Sequence, residues 1–474
     1  MTVKGNYVNG EWLQEGSGSF LKVLDKYSNA TIAELPLASD EQMEKAIVAA
    51  QKGFDEIKKW SAGKRSEHLF KLAGLLKEHR EEIVELMISE AGKPRGYANN
   101  EMARCITTTE MAAAEALRFG GEVVPMDFAA GEGKTAFTKR FPIGVIACIT
   151  PFNFPLNLVL HKVAPALAVG CSVIVKPAPQ SPLCTFKLAE LIEKAGYPEG
   201  IFNALVCDIP VAEKMVRDER LAMLSFTGSD KVGWYLKGIC GKKRVALELG
   251  GNAAVLVDDI EKVDEAAAIV ASGAYLYAGQ ICISTQRIFV HENICERFKE
   301  QLVAKISELP VGDPKLNDTL VGPIIDKGHL QRIEEWVNEA VQGGAEVLIG
   351  GKVHDAAHNL FEPTLISNAS ADMKVACAEA FGPVAVIEPV KDFDEAIERA
   401  NDSNYGLQAG VFTDSLTHMK QAHEELEVGG VIINNVPGFR IDNMPYGGIK
   451  DSGLGREGLR YAMEEMSEGR LIVY

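Results

Sequence analysis

Five short apolar stretches decide the fold of this chain: GVIACIT (144–150), SVIVKP (172–177), FNALV (202–206), AMLSFTGS (222–229) and RVALELGG (244–251). Segments long enough to form helices separate them. Strands that alternate with helices pair in parallel, because each helix returns the chain to the start of the next strand. The sequence therefore predicts repeated βαβ units around a parallel sheet between residues 141 and 251.

The same alternation continues after Asn252 in AAVLVDD (253–259), RIFVHE (287–292), EVLIGG (346–351) and VAVIEPV (384–390). Helix-length segments such as residues 299–308 separate these runs. Towards the N-terminus, apolar residues recur every three or four positions between residues 41 and 60, which predicts an amphipathic helix. We therefore predict an α/β protein with two α/β domains, and no Pro- or Ser-rich linker separates them.

The composition restricts the possible functions of the 474 residues. A formal charge of -17 disfavours binding to nucleic acid or to anionic membrane surfaces. No basic segment with an apolar core opens the sequence, and no run reaches the roughly 18 apolar residues of a membrane span, so we expect a cytoplasmic protein. The nine cysteines are scattered without CxxC pairs, which predicts neither a metal site nor a disulfide framework.

Cys282 is the candidate nucleophile. It lies in GQICISTQR (279–287), where small residues leave room for a substrate carbon beside the sulfur. Most free cysteines are buried packing residues, so this segment alone leaves that alternative open. Glu248 ends the apolar run of LELGG (247–251), where its carboxylate is either desolvated or directed into a cleft. A helix-capping or salt-bridged glutamate is the alternative.

Two polar segments predict groups that bind negative charge. Asn153 lies in PFNFP (151–155), whose prolines stiffen the chain and hold the amide in one direction, as an oxyanion donor requires. A turn residue is the alternative. SFTGSDKVG (225–233) places Gly228 and Ser229 before a helix, where backbone N–H groups are free to bind a phosphate. A helix N-cap is the alternative here.

These segments together resemble the aldehyde dehydrogenase superfamily along nearly the whole chain. The motifs occur in the family's order: PFNFP (151–155), IVKP (174–177), FTGS (226–229), LELGG (247–251), GQICISTQR (279–287), EAFGPV (379–384), NYGL (404–407) and PYGGIKDSGLGREG (445–458). Glu248 and Cys282 lie 34 residues apart, as in the family. Each motif alone is weak evidence, but the ordered set is specific, and the alternatives above lose most of their weight.

The resemblance implies the family's fold and activity. The fold is α/β, with a Rossmann-like cofactor domain, an α/β catalytic domain and a small oligomerisation element. The corresponding segments are residues 1–120 with 142–248, residues 249–447, and residues 121–141 with 448–474. The members that the chain resembles are NAD(P)-dependent and non-acylating, and they act on lactaldehyde, on semialdehydes or, without phosphorylation, on glyceraldehyde 3-phosphate.

In the mechanism that the resemblance implies, the thiolate of Cys282 adds to an aldehyde carbonyl. Asn153 and the backbone N–H of Cys282 stabilise the resulting oxyanion. Hydride transfer to NAD or NADP leaves a thioester, and Glu248 activates the water that hydrolyses it. Lys162 and Glu468, which align with the family's buried lysine and C-terminal glutamate, relay the proton outward.

The resemblance also assigns the cofactor site. Lys176 faces the adenosine ribose, Ser229 the pyrophosphate and Glu379 the nicotinamide ribose, while Phe381 packs beside the nicotinamide. The remaining residues assigned to the cofactor are Ile149, Pro151, Phe152, Pro179, Phe226 and Gly228. Pro179 stands where many NAD-preferring relatives carry a glutamate, so we expect NADP to be tolerated. CDIP (207–210) replaces the family's glycines after FNALV, which leaves the contacts with adenosine on that side unassigned.

The substrate predicted from the resemblance is a short polar or anionic aldehyde, such as lactaldehyde, a semialdehyde or glyceraldehyde 3-phosphate. Arg104, His161 and Arg440 correspond to positions along the substrate tunnel, and they suit an anion better than an apolar tail. The alternative is that the arginines pair with Glu101 or Asp442. The residues that complete the predicted tunnel are Phe154, Ile281 and Ile283.

Two rival functions are compatible with the same fold. In a coenzyme-A-acylating member, a thiol rather than water resolves the thioester, and the presence of Glu248 favours hydrolysis instead. In a non-catalytic structural protein, the nucleophile is dispensable, and the retention of Cys282 and Asn153 argues against that function. The family pairs its C-terminal strand, here GRLIVY (469–474), across a subunit boundary. We therefore expect a homodimer or a homotetramer.

Overall fold

The computed structural model describes residues 5–474, so the first four residues of the predicted cofactor domain lie outside the described part. Its N-terminal third contains β1 (Asn6–Val8), β2 (Glu11–Leu13), β3 (Phe20–Leu24), β4 (Thr31–Pro36), α1 (Asp40–Ile57), α2 (Ala62–Glu78), α3 (Arg80–Ala91), α4 (Arg95–Arg118), β5 (Val123–Val124) and β6 (Ala136–Pro142). The predicted amphipathic helix is α1, which buries Met43, Ile47 and Ala50 on one face and begins with a capping box at Ser39.

The five apolar stretches form the centre of the first sheet. This region contains β7 (Val145–Ile149), α5 (Asn157–Val169), β8 (Ser172–Lys176), α6 (Leu183–Ala195), β9 (Phe202–Ala204), α7 (Ile209–Arg217), β10 (Leu221–Thr227), α8 (Asp230–Ile239) and β11 (Arg244–Glu248). The strands are parallel in the order β9, β8, β7, β10, β11, with β1 and β2 antiparallel beyond β9. The predicted parallel sheet is therefore confirmed.

The winding of this sheet reverses beside β7. The chain moves outward from β7 through β8 to β9, then returns to the other side of β7 as β10 and β11. In open α/β sheets, ligands bind outside the carboxyl ends of the strands where the winding reverses. The PFNFP segment follows β7, Gly228 and Ser229 follow β10, and Glu248 ends β11. The topology thus brings these predicted site residues to one edge.

The second sheet is built from the next part of the chain. This part of the chain contains β12 (Ala254–Val257), α9 (Val263–Tyr275), β13 (Arg287–His291), α10 (Glu292–Ser307), α11 (Lys327–Gln342), β14 (Glu346–Ile349), β15 (Val353–Asp355), β16 (Leu360–Phe361), β17 (Thr364–Ser367), α12 (Lys374–Cys377), β18 (Val384–Val390), α13 (Phe393–Asn401), β19 (Tyr405–Gly406), β20 (Gln408–Phe412), α14 (Leu416–Glu425) and β21 (Gly430–Ile433). The order is β14, β17, β18, β13, β12, β20, β21, and β14 is antiparallel to β17. The other pairs are parallel.

The C-terminal segment returns to the first half of the molecule as β22 (Ile449–Lys450), β23 (Gly453–Leu454), α15 (Leu459–Glu465) and β24 (Ser467–Val473). Strand β23 pairs with β11 at the edge of the first sheet. Strand β24 pairs with β6, and β5 completes a separate three-stranded sheet. Leu471 and Ile472 on β24 are 55% and 49% exposed. The subunit contact predicted for this strand stays a prediction.

Residues 5–474 were searched for disulfide bonds, metal-ligating clusters and membrane-spanning helices. All nine cysteines are free thiols, and eight of them are at least partly buried. No group of three or more His, Cys, Asp and Glu side chains in this range has the arrangement of a metal site. Within the same range, none of the helices combines the length and the apolar character that crossing a bilayer demands.

Candidate active site

A cavity of about 610 Å³ opens at the carboxyl ends of β7, β10 and β11. Three of the predicted catalytic residues line it: Asn153, Glu248 and Cys282. All of the predicted cofactor residues line it as well: Ile149, Pro151, Phe152, Lys176, Pro179, Phe226, Gly228, Ser229, Glu379 and Phe381. The two sheets contribute side chains to the same space, so a cofactor in this cavity would lie directly beside the cysteine.

The backbone before Cys282 follows an uncommon path. Tyr277 and Ala278 both have a φ of 54°, and Gly279 has a φ of 65°. A Cβ at Gly279 would lie 2.2 Å from the carbonyl oxygen of Gly382, so this position requires glycine. Residues in left-handed backbone conformations concentrate at functional sites because the surrounding structure must hold them there. The sharp path delivers the thiol into the cavity.

The Sγ of Cys282 lies 3.2 Å from the hydroxyl oxygen of Tyr446. Burial raises the pKa of the Cys282 thiol to about 12, although the Tyr446 hydrogen bond and the charge of Arg440 oppose the shift. The thiol is therefore protonated at neutral pH in this conformation. A base must remove its proton before the sulfur becomes a nucleophile.

Glu248 lies almost completely buried at the end of β11, and neither carboxyl oxygen has a hydrogen-bond partner within the described residues. Burial raises the pKa of Glu248 well above its usual value, and the charge of Glu457 adds to the shift. A Cβ at Gly447 would lie 3.0 Å from one of these oxygens, so the glycine leaves room for the carboxyl group. An unsatisfied buried carboxyl in a cavity is typical of a group that binds water or substrate.

Asn153 is held on both sides of its amide. Its Nδ2 donates to the carbonyl of Gln280 at 3.0 Å, and its Oδ1 accepts from the backbone N–H of Phe154 at 3.1 Å. The second hydrogen of Nδ2 remains for a ligand, because a primary amide carries two donors. The carboxylate of Glu101 supports the segment by accepting from the N–H groups that begin α5, at 3.1 and 3.0 Å.

The structure does not bring Lys162 and Glu468 together, so the predicted relay between them is corrected. Glu468 lies on β24, where its side chain is 63% exposed and pairs with Arg244. The carboxylate that meets Lys162 belongs to Glu457, at 2.9 Å. Although burial opposes the shift, the ammonium group of Lys162 holds the pKa of Glu457 well below its usual range, together with the charge of Arg440.

Asp442 joins two of the predicted substrate residues. It accepts from Nε and Nη2 of Arg104 at 3.2 and 2.5 Å, and it contacts Nε2 of His161 at 2.8 Å. The ion pair that was the alternative for Arg104 is therefore present. Although burial opposes the shift, His161 and Arg104 hold the pKa of Asp442 well below its usual range. Arg104 is thus neutralised within the protein.

Arg440 packs against the tyrosine that contacts Cys282. Its guanidinium carbon is 3.5 Å from the centre of the Tyr446 ring, whose hydroxyl contacts Cys282. Its Nη2 lies 2.8 Å from Nδ1 of His161 and 3.4 Å from a carboxylate oxygen of Glu457. Its Nε is buried without a hydrogen-bond partner within the described residues. One donor of Arg440 is therefore unpaired within the described residues, next to the tyrosine whose hydroxyl contacts Cys282.

The remaining tunnel residues lie around a second cavity of about 450 Å³. Ile281 and Ile283, which flank Cys282 in the chain, line this cavity together with Tyr97 and Phe439. Phe154 packs edge-on against Tyr97, with ring centres 5.8 Å apart. Cys282 thus lines the larger cavity, which contains the predicted cofactor residues, while its neighbours Ile281 and Ile283 line the smaller one.

The cofactor side of the larger cavity contains several polar groups that use only part of their hydrogen-bonding capacity within the described residues. Ser229 is the N-cap of α8, and its side chain makes no capping hydrogen bond among the described residues. Lys176 has no carboxylate partner in the same range, and burial lowers its pKa. Glu379 accepts from the N–H of Gly251 at 3.1 Å, and burial raises its pKa to about 7. Phe381 packs edge-on against Phe152. This donor set fits a dinucleotide.

Residues 12–472 match the family model described as "Aldehyde dehydrogenase family". The chain belongs to the aldehyde dehydrogenase family. A 3-sulfolactaldehyde dehydrogenase of Priestia aryabhattai is 44% identical over 472 residues, which cover 99% of this chain and 97% of that relative.

Two solved structures of family members superpose closely on this aldehyde dehydrogenase. Aldehyde dehydrogenase 21 of Physcomitrella patens, in complex with the reaction product succinate, has a TM-score of 0.96 and 39% identity, covering 100% of this chain and 98% of that one. Glyceraldehyde-3-phosphate dehydrogenase of Methanocaldococcus jannaschii, in complex with NADP, has a TM-score of 0.92 and 38% identity, covering 96% and 98%. The predicted superfamily, fold, enzyme class and use of NAD or NADP are confirmed.

Sequence reasoning missed two residues of this aldehyde dehydrogenase site. Tyr446 and Glu457 both lie within PYGGIKDSGLGREG (445–458), which was recognised as a family motif without any role for its side chains. The presence of two side chains that can exchange protons within this family motif was the signal in the sequence that could have identified them. Their roles become visible only through contacts with Cys282 and Lys162, which are distant in the sequence.

Proposed function

We propose that this aldehyde dehydrogenase oxidises a short anionic aldehyde to the carboxylate through a thioester on Cys282. The observation that carries this proposal is the shared cavity, which places Cys282, Glu248 and the dinucleotide-binding residues within one space. A nucleophile, a base and a hydride acceptor must all reach the same substrate carbon for this reaction.

The first step forms a bond between Sγ of Cys282 and the carbonyl carbon. The thiol proton passes to water in the cavity, and the carbonyl oxygen becomes an oxyanion. The free amide hydrogen of Asn153 and the backbone N–H of Cys282 stabilise that charge, as donors fixed before the reaction do most effectively. When bound, NAD or NADP accepts the hydride that leaves the same carbon, and a thioester remains.

Water resolves the thioester in the second step. Glu248 removes a proton from the water as it adds to the carbonyl carbon, and the carboxylate product leaves as the bond to Sγ breaks. Glu457 raises the pKa of Glu248, and it contacts Lys162 at 2.9 Å. We assign the proton relay to this pair, because Glu468 lies at the exposed β24 strand.

The charges around the tunnel support an anionic substrate. Arg104, Lys162 and Arg440 carry three positive charges, and Asp442 and Glu457 carry two negative ones. Burial raises the pKa of Glu248 well above its usual value, which disfavours a negative charge on this carboxyl group in the resting site. An uncompensated buried cation is costly unless a ligand pairs with it. An anionic group on the aldehyde would restore neutrality at the free Nε of Arg440.

The names of the relatives support the same substrate class. The relative from Priestia aryabhattai acts on sulfolactaldehyde, which is a sulfonate, and the moss enzyme was solved with the dicarboxylate succinate. The archaeal structure belongs to an enzyme of glyceraldehyde 3-phosphate, which is a phosphate ester. The common feature is an anionic group a few bonds from the aldehyde. A guanidinium group binds all three types of anion.

We expect Arg440→Leu to raise the KM for succinic semialdehyde by roughly tenfold or more, because a charge-assisted hydrogen bond is lost. The KM for uncharged propanal is expected to change much less. Initial rates of cofactor reduction with both aldehydes measure the difference. Arg118→Leu is the control, because the side chain of Arg118 is 73% exposed and lines neither of the two cavities. Equal losses for both substrates, or a wild-type preference for long aliphatic aldehydes, would contradict the anionic pocket.

The coenzyme-A-acylating alternative does not account for Glu248. An acylating enzyme needs no general base for water, yet this carboxyl group lines the cavity with both oxygens free among the described residues. Hydrolysis therefore remains the proposal. Release of the free acid without added coenzyme A, measured by product analysis, tests the choice directly.

We expect wild-type enzyme to use NADP as well as NAD. Pro179 lines the cavity near Lys176 and has no carboxylate to repel a 2′-phosphate. Pro179→Glu should lower kcat/KM for NADP by roughly tenfold, because like charges repel at short range, whereas the uncharged Pro179→Gln should not. A wild-type preference for NAD of roughly a thousandfold or more would show that another residue excludes the phosphate.

A further inference from the structure

His161 is buried between two carboxylates and a guanidinium group, with its side chain 3% exposed. Its Nε2 lies 2.8 Å from Asp442, and its Nδ1 lies 2.8 Å from Nη2 of Arg440. Two longer contacts complete its surroundings, at 3.2 Å from Nε2 to Nδ2 of Asn157 and at 3.3 Å from Nδ1 to Glu457. All the partners of this imidazole ring belong to the protein.

The two short contacts determine which ring nitrogen carries a hydrogen. An ionised carboxylate only accepts hydrogen bonds, so the 2.8 Å contact with Asp442 requires a hydrogen on Nε2. A guanidinium group only donates, so the 2.8 Å contact with Arg440 requires a bare Nδ1. His161 is therefore neutral in this arrangement, and its longer contacts with Asn157 and Glu457 carry no hydrogen bond. Asp442 fixes the tautomer, and the tautomer presents an acceptor to Arg440.

We infer that His161 is a positioning residue that selects anionic aldehydes by holding Arg440, rather than a residue that contacts the substrate. The inference rests on the proposed anionic substrate. The bond from Nη2 to His161 keeps the guanidinium group over the ring of Tyr446, whose hydroxyl contacts Cys282, and leaves Nε without a partner there. Specificity thus depends on a chain of contacts from Asp442 through His161 to Arg440.

Removal of the acceptor Nδ1 of His161 would change the hydrogen-bond partners of Arg440. The next carboxylate in reach of Nη2 is Glu457, already 3.4 Å away. Without Nδ1, the arginine would close on Glu457 and form a full ion pair. The guanidinium group would then be neutralised within the protein and would turn away from the substrate. The enzyme would retain its nucleophile and lose much of its preference for anions.

The test compares side chains that do and do not place an acceptor atom at the position of Nδ1. His161→Leu removes the acceptor, whereas His161→Asn has nearly the same shape and places Oδ1 close to the position of Nδ1. The ratio of the KM for propanal to the KM for succinic semialdehyde is measured for each. We expect His161→Leu to lower this ratio by roughly tenfold, as the loss of a hydrogen bond to a charged group does. We expect His161→Asn to restore most of the ratio.

His161→Gln provides a second loss variant if the leucine variant does not fold. Its distal amide still reaches Asp442, but no acceptor atom stands at the position of Nδ1, so we expect the behaviour of His161→Leu. Thermal unfolding identifies the folded variants. Equal ratios in wild type and in the loss variants would overturn the inference, and so would an asparagine variant as impaired as the leucine variant. A wild-type enzyme without any preference for succinic semialdehyde would instead overturn the proposed substrate class, and this inference with it.

Discussion

Cys282→Ala is expected to lower aldehyde oxidation by roughly 10⁴-fold or more, because no other group can form the covalent intermediate. The described thiols other than Cys282 do not line the cavity with Glu248. The smaller side chain should leave the fold and the binding of the nicotinamide cofactor intact. Initial rates of cofactor reduction measure the loss, and fluorescence titration with NAD or NADP verifies that binding persists.

Cys377→Ala is the matched control for this variant. Cys377 is exposed and lies on α12, two residues before Glu379, so it tests whether any thiol near the cavity supports the reaction. Its activity should stay close to that of the wild type. Substantial aldehyde oxidation by Cys282→Ala would refute the thioester mechanism altogether.

Glu248→Gln is expected to slow steady-state turnover by roughly 10²- to 10⁴-fold while preserving a burst of reduced cofactor. The amide cannot take a proton from water, so hydride transfer still occurs but the thioester accumulates. Rapid-mixing measurements separate the burst from the slow phase, and mass spectrometry detects the trapped acyl group. Glu346→Gln, which replaces an exposed glutamate on β14, is the control.

The pH dependence provides a second check on Glu248. Burial raises the pKa of this carboxyl group well above its usual value, so the base form becomes populated only as the pH rises through that raised pKa. The hydrolytic rate of the wild type should therefore increase with pH, and Glu248→Gln should lack this increase. A variant that shows no burst, or that keeps the wild-type pH profile, would contradict the assignment of the base.

The strands of both sheets were predictable because most of them are buried on both faces. Such strands appear in the sequence as short runs of apolar residues, as in β7 and β8, and these runs need no information from the rest of the chain. The direction of β14 was not predictable in the same way. Its run, EVLIGG (346–351), resembles the others, but it pairs antiparallel with β17 at the edge of the sheet.

Some residues of the candidate site could be predicted from the sequence, and others could be identified only from tertiary contacts. Cys282, Glu248 and Asn153 lie in motifs whose neighbouring residues mark them, and the structure places all three around one cavity. Glu457 and Glu468 are both glutamates near the C-terminus, and the sequence offered no physical means to choose between them. The choice depends on which one faces α5, and β24 carries Glu468 away to an exposed sheet.

The sequence by itself determined the α/β class, the order of the strands along the chain and the segment of the predicted nucleophile. Runs of apolar residues and the spacing of motifs are local properties of a chain. Only the tertiary structure decided which charges meet. Arg104 and Arg440 are both arginines at predicted tunnel positions, yet Asp442 neutralises the first and His161 holds the second with a donor still free. Electrostatic pairing depends on distances of a few ångströms between residues that are hundreds of positions apart, and folding alone sets those distances.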